Sequence, residues 1–275
     1  MDGVDVTAED FGVKGPRGWA FRGVGFSAEA GSLVAVEGPS GSGRTSLLLA
    51  LTGRMKPSAG TAVVGGLALP RRMAAVRKIS AVANMAGVTD LEPALTVAEH
   101  LRERALLQRR FGDSLREALR PRPDRVHEAR LRADAALAAA GLDPDTLPKG
   151  SRTPVRDLER LEALRLSVAL ALVGRPGLLA VDDAEVRLSA EERAEVWTLL
   201  RSLTRTGTTV LAVCRTAPED CVVVSTETES ESQSQSETET EADTAAQSNP
   251  DPDPDPEAQT PKEADPDALT PARRA

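Results

Sequence analysis

Nine consecutive residues, Gly38-Pro39-Ser40-Gly41-Ser42-Gly43-Arg44-Thr45-Ser46, bring together three glycines, four hydroxyls and a guanidinium. Gly38, Gly41 and Gly43 free the backbone to wrap a phosphate, and amides at the start of a following helix would point at it. Thr45 stands where a hydroxyl would ligate magnesium, and the basic Arg44 before it would reach terminal phosphates. Gly38 to Ser46 are therefore the candidate nucleotide-binding residues, although a glycine-rich turn can also be no more than a tight strand-to-helix connection. Far downstream, "LLAVDD" ends an apolar run on Asp182 and Asp183. Asp182 is placed where a carboxylate can hold the magnesium of a bound nucleotide, together with Thr45. If any side chain acts as a base, it is Asp183. One acid at a strand end says little; loop and acid in this order say much more.

The elements that must position these residues are readable from the pattern. "SLVAVEGP" is a short valine-rich run ahead of the loop, and "RTSLLLALTGRM" is the helix behind it, stopped near Pro57. "GTAVVGG", "RKISAVAN", "PGLLAVDD" and "TTVLAVC" are predicted strands. "TVAEHLRERALLQRR" begins with Thr96 and Glu99 at capping-box spacing, and "LSAEERAEVWTLLRSL" repeats the device with Ser189 and Glu192. "PDRVHEARLRADAALAAAG" closes on Gly141, a C-cap signal. "TPVRDLERLEALRLSVALALVG" is a further predicted helix. Strands separated by helices predict an α/β sheet of parallel character, interrupted between about residues 85 and 158 by a helical insert.

Bulk composition narrows the function classes. The net charge of −8 is unevenly spread: residues 222 to 275 carry 14 acidic and 3 basic side chains, the remainder 28 and 31. The folded part is thus nearly neutral, and aromatics are few, so nucleic-acid binding is not expected. Two cysteines make no disulfide framework or metal spacing. The N-terminus lacks signal-peptide character, and the longest apolar run, "LSVALALVG", is too short to span a bilayer. The expected location is cytoplasmic, with a peripheral seat at the inner face of the cell membrane if the partner is a membrane protein. From Ser225 to the C-terminus, the stretch opening "STETESESQSQSETETEADTAAQSNPDPDPDP" cannot bury enough surface to offset chain entropy. Residues 225–275 are therefore expected to be a disordered acidic tail, and residues 1–224 the folded domain.

Over about residues 5 to 216 the chain resembles the ATP-binding cassette family, the nucleotide-binding subunits of ABC transporters. "GVGFSAEAGSLVAVEGPSGSGRTSLLLALTG" is similar to the family's opening. "RKISAVAN" and "LEPALTVAEHL" resemble its strand, Q-loop and first insert helix. "GRPGLLAVDDAEVRLSAEERAEVWTLLRSLTRTGTTVLAVCR" resembles the stretch from Walker B to the switch strand. The resemblance implies a P-loop NTPase of ABC type, with a mixed sheet core and a helical insert subdomain. It implies ATP and Mg2+ as cofactors, and two kinds of partner: a membrane permease and a second cassette in a homo- or heterodimer. Asn84, in the Q-loop position, joins the implied nucleotide-binding set.

The departures from the family pattern bear on activity. Arg44 takes the place of the loop lysine; arginine also binds phosphate, and the chain uses 29 Arg against 5 Lys. In the family, the signature of one cassette faces the phosphate loop of the other, and here Leu158-Glu159-Arg160-Leu161-Glu162 occupies that place. Glu159 would aim an anion near an anion, and Arg160 and Leu161 add bulk where glycines allow close approach. The same stretch also reads simply as a helix whose Leu158, Leu161, Leu164 and Leu166 face the core. Asp183 keeps the charge of the family's glutamate but is one methylene short, and Arg215, in the switch position, cannot accept a hydrogen bond. Ser189 replaces the D-loop aspartate, and no aromatic near "VKGPRG" corresponds to the adenine-stacking residue; Trp19 lies close but displaced. The expectation is an ATP-binding subunit with weak or absent hydrolysis. The alternative is a non-hydrolysing pseudo-ATPase acting as a structural or regulatory partner. The Arg-rich stretch from Leu101 to Arg132 is either a solvated helical face or the surface that docks on the permease.

Overall fold

The computed structural model describes residues 3–111 and 122–226, with side chains for all of these except 109–111 and 122–125. The expected tail beyond Thr226 lies outside the described residues. Two antiparallel strands open the chain, β1 (Val6–Gly15) and β2 (Gly18–Ala28), followed by β3 (Leu33–Glu37) and helix α1 (Arg44–Leu51). Strands β4 (Ala59–Val64) and β5 (Leu67–Leu69) precede α2 (Met73–Ile79) and β6 (Ser80–Ala83). Next come α3 (Val97–Phe111), α4 (Arg122–Ala139), α5 (Arg160–Leu172), β7 (Leu178–Val181), α6 (Ala190–Arg205), β8 (Thr209–Val213) and β9 (Val222–Ser225).

The α/β architecture is the expected one, but the mixture lies between two sheets rather than within one. β2-β1-β4-β5 form an antiparallel sheet, and β6-β7-β8-β3-β9 a parallel one. Alternation along each parallel strand explains the layering. Leu33, Ala35, Leu179, Val181, Val210 and Ala212 face the core shared with α5, α6 and the insert helices. Val34, Val36, Leu178, Ala180, Leu211 and Val213 face α1 and the antiparallel sheet. A sheet covered on both sides needs apolar residues at every position, which is why these strands read as unbroken apolar runs.

Three boundaries differ from expectation. Arg77, Lys78 and Ile79 end helix α2, so the strand in "RKISAVAN" begins only at Ser80. The helix expected from Thr153 begins at Arg160, because Thr153–Val155 pair with the entry to the insert. Val97 N donates to Thr153 O at 3.1 Å and Val155 N to Leu95 O at 2.9 Å, closing the neck of the insert. Leu158 therefore precedes the helix, while Leu161, Leu164 and Leu166 are buried in it. Finally, Ser225 pairs with Glu37 in the parallel sheet and Thr226 is buried, so the fold runs two residues past its expected end. Both capping boxes form: Thr96 N donates to Glu99 Oε2 at 2.8 Å and Ser189 N to Glu192 Oε2 at 2.6 Å. Among the described residues no helix is long and apolar enough to cross a membrane.

Candidate functional site

β3 ends on Glu37, and the chain turns through the glycine-rich loop into α1. Gly38, Gly41 and Gly43 have φ of 145°, 89° and 86°, a region that glycine enters without steric cost. Gly43 is the residue that caps α1, and a Cβ there would run into the carbonyl of Ala20 on β2. Beside Gly38 the corresponding space is filled by the hydroxyls of Ser42 and Thr226. Thr226 donates to Glu37 O at 3.1 Å, which leaves its oxygen to accept from Ser42 Oγ at 2.5 Å. The loop is thus clamped between β2 and the residue after β9. First-turn amides of a helix have no acceptor within it, so those of α1 are available to an anion held in the loop.

Asp182 follows β7 directly and is buried. Thr45 Oγ1 donates to its Oδ2 at 2.8 Å, and Asp183 N to its Oδ1 at 3.1 Å. Burial pushes the Asp182 carboxyl above the usual range, reinforced by the charge of Asp183 and opposed by Thr45 and Arg44. Thr45 and Asp182 offer two hard oxygens side by side. Among the described residues no cluster of three or more His, Cys, Asp or Glu could hold a metal by itself. This donor set suits Mg2+, which commonly combines one carboxylate and a hydroxyl with phosphate oxygens and water.

The other expected residues surround this pair. Asn84, at φ 52°, donates through Nδ2 to Asp182 O at 2.9 Å and to Asp183 O at 3.3 Å, while its N–H donates to Ser167 Oγ at 2.7 Å. Its amide nitrogen is spent on holding the end of β7, leaving only the short Oδ1 for a ligand. Asp183 is exposed, with φ 45°, and lines a cleft of 610 Å³ beside the loop. Gly38, Pro39, Ser40 and Arg44 line the same cleft. Arg44 Nη1 donates to Cys214 O at 2.9 Å, so its guanidinium bridges α1 to the end of β8. Leu158 to Glu162 do not line this cleft. They sit at the start of α5, where Glu159 is the N-cap and its N–H donates to Glu162 Oε2 at 2.8 Å.

Three residues matter here that sequence reasoning did not single out. Glu185 Oε1 accepts from Trp197 Nε1 at 2.8 Å and its Oε2 from Arg215 N at 3.1 Å. It therefore fixes the segment after Asp183 against both α6 and the residue after Cys214. Glu37 accepts from Ala217 N, and Thr226 clamps the loop through Glu37 O and Ser42. All three act over long sequence separations, and no local pattern marks them. Cys214 is buried, and desolvation pushes its thiol up to about 12, so it stays protonated.

Comparison with known proteins bears on the family and the fold. Residues 21–186 match the family model described as ABC transporter. The chain is 31% identical over 186 residues to the Nod factor export ATP-binding protein I of Cupriavidus metallidurans, covering 66% of this chain and 54% of that one. It is 30% identical over 184 residues to the ABC-type transporter claG of Penicillium crustosum, covering 67% of this chain and 23% of that one. The chain thus spans about half the length of the first of these relatives and less of the second. Among solved structures, cbiO1 of Clostridium perfringens, described as part of the ABC transporter complex cbiONQ, superposes with a TM-score of 0.64. It is 19% identical and covers 88% of this chain and 95% of its own. A dimeric ATP-binding cassette bound to ADP and Pi superposes with a TM-score of 0.60 at 21% identity, covering 77% and 88%.

Proposed function

The chain belongs to the ABC transporter family, and from that premise we propose that it is a transporter's nucleotide-binding subunit that holds ATP·Mg and hydrolyses it slowly or not at all. The observation that carries the proposal is the 2.8 Å hydrogen bond between Thr45 and Asp182, beside a loop in which Gly38 and Gly43 leave no room for a side chain. Gly38 to Ser46 would bind the phosphates, and Thr45 and Asp182 the magnesium. Held by Thr45 and Asp182, a magnesium ion would supply positive charge against the negative charge of the phosphates.

Slow hydrolysis follows from the side chains around that pair. Asp183 would have to serve as the base, one methylene shorter than glutamate, and a misplacement of about 1 Å can cost on the order of a hundredfold. Arg215 cannot accept a proton or a hydrogen bond. Pairing with a second cassette does not repair this. One composite site keeps Arg44 and Asp183, and the other receives Glu159. ATP would then act as a conformational ligand whose differential affinity favours the closed dimer. The proposed partners are a membrane permease, reached through the helical insert at the inner face of the membrane, and a second cassette. The proposed domain division is an ATP-binding domain through about residue 226 and an acidic tail beyond.

A second reading, a pseudo-ATPase that serves as a structural or regulatory partner, is favoured by one contact. Arg44 Nη1 is tied to Cys214 O, so part of the guanidinium is spent on bracing α1 against the end of β8 rather than on a phosphate. Calorimetry with ATP, with and without Mg2+, separates the two. Micromolar, magnesium-dependent binding that Asp182→Asn weakens tenfold or more, with ATP turnover near background, is the expected result. No binding at millimolar ATP would leave the second reading.

A further inference from the structure

We infer that the cleft recognises the polyphosphate chain and leaves the base unread, so that it binds ATP, GTP, UTP and inorganic tripolyphosphate with similar affinity. The inference rests on the proposed nucleotide binding and narrows it to a ligand class.

Reading a base takes a flat face to stack on or polar groups aligned with its edge. The chain has no Tyr, two Trp and four Phe. Trp197 is buried, and its indole N–H is committed to Glu185. Phe11 and Phe21 are buried against each other with ring centroids 6.0 Å apart, and Phe26 packs against the same core. Phe111 ends α3 in the helical insert, outside the described side chains. Trp19 remains, next to the Ala20 carbonyl that abuts Gly43. The register between β1 and β2 turns it away. Val13 pairs with Phe21 while Lys14 pairs with Trp19, so an extra residue, Ala20, sits in the β2 strand. Phe21 consequently faces the core with Val13, and Trp19 stands on the opposite face with Lys14. There the ring is 44% exposed, Lys14 Nζ lies 5.9 Å from its centroid, and it covers the side of Gly12 where a Cβ would meet it at 3.1 Å. Among the described residues no aromatic ring lines the cleft.

Cations line it instead. Arg44, Arg187, Arg193 and Arg215 line it together with Asp183 and Glu185. None of the four arginines forms an ion pair with a carboxylate among the described residues. Both oxygens of Glu185 are already occupied, by Trp197 and by the Arg215 backbone. Guanidinium forks match phosphate oxygens in pairs, and they gain nothing from which base the phosphates carry.

The test is a calorimetric titration of the full chain, in Mg2+, with ATP, GTP, UTP and tripolyphosphate. The four affinities are expected to agree within about threefold. A stacked base would add roughly fivefold to a hundredfold, so ATP binding at least tenfold tighter than tripolyphosphate overturns the inference and leaves nucleotide binding intact. Failure of all four ligands overturns the nucleotide reading, and this inference with it. Two variants sharpen the result. Trp19→Ala, at an exposed position, is expected to leave all four affinities unchanged, and a loss confined to the nucleotides would overturn the inference. Arg187→Ala is expected to weaken all four by a similar factor, roughly tenfold, and tripolyphosphate escaping that loss would overturn it as well.

Discussion

In the loop that would form the floor of the proposed phosphate site, from Gly38 to Thr45, the backbone sets the geometry; around it, at Asn84, Asp183 and Arg215, side chains do. The floor needs left-handed glycines, a helix start and one hydroxyl-to-carboxylate contact, and the chain keeps every one of these. The surroundings carry an amide tied to the end of β7, an exposed carboxylate and a guanidinium, and what they do rests on how far each side chain reaches. Holding a polyphosphate depends mainly on dipoles and charge, which tolerate substitution among cations. Cleaving it depends on placing a proton acceptor to within a fraction of an ångström. Under the proposed function, the contrast separates binding from turnover.

The strongest way to break that contrast is Gly43→Ala. The added Cβ meets the Ala20 carbonyl, and alanine at φ 86° is strained in addition. We expect a loss of about 3 kcal/mol or more in urea unfolding, together with loss of nucleotide binding. A stable Gly43→Ala protein that still binds would show that the floor is not set by its backbone. Glu185→Ala tests the other side. It leaves Trp197 Nε1 and Arg215 N without their acceptors, and each such donor costs about 1–3 kcal/mol if it finds no water. The expected outcome is a lowered melting temperature and a red-shifted tryptophan emission, with phosphate affinity reduced less than in any floor variant. An equal loss of affinity would mean that floor and surroundings act as one unit.

The same contrast explains what could be read from the sequence. The phosphate loop, the two capping boxes and the buried strands announce themselves within a few residues, because glycine spacing, a hydroxyl three residues before a carboxylate and unbroken apolar runs are local signals. The β1–β2 hairpin escapes such a reading because bulges at its register shifts break the alternation that marks a strand. The start of α5 escapes it too, because Thr153–Val155 obey a long-range pairing at the neck of the insert rather than their own helical pattern. β9 disappears into a text that turns polar one residue later, yet Val222–Val224 complete the parallel sheet beside β3. Glu185, Glu37 and Thr226 act across 12 to 189 residues of sequence, and only the folded chain brings their partners to them.

Thr226→Val gives the smallest and most discriminating test. Valine fills the space beside Gly38 but donates nothing to Glu37 O and accepts nothing from Ser42. Two partly buried hydrogen bonds at about 0.5–1.5 kcal/mol each set the expected destabilisation at about 1–3 kcal/mol, read from urea unfolding. Ser42 Oγ, released from Thr226, can turn into the loop and donate to a phosphate, which offsets any slackening of the clamp. Nucleotide affinity is therefore expected to stay within about twofold of the parent value. A tenfold fall would mean that the floor depends on side-chain bracing from the residue after β9, and the division between a backbone-set floor and side-chain-set surroundings would no longer hold. An unchanged affinity with the expected loss of stability would place the clamp in the fold and leave phosphate binding to the loop and the helix start alone.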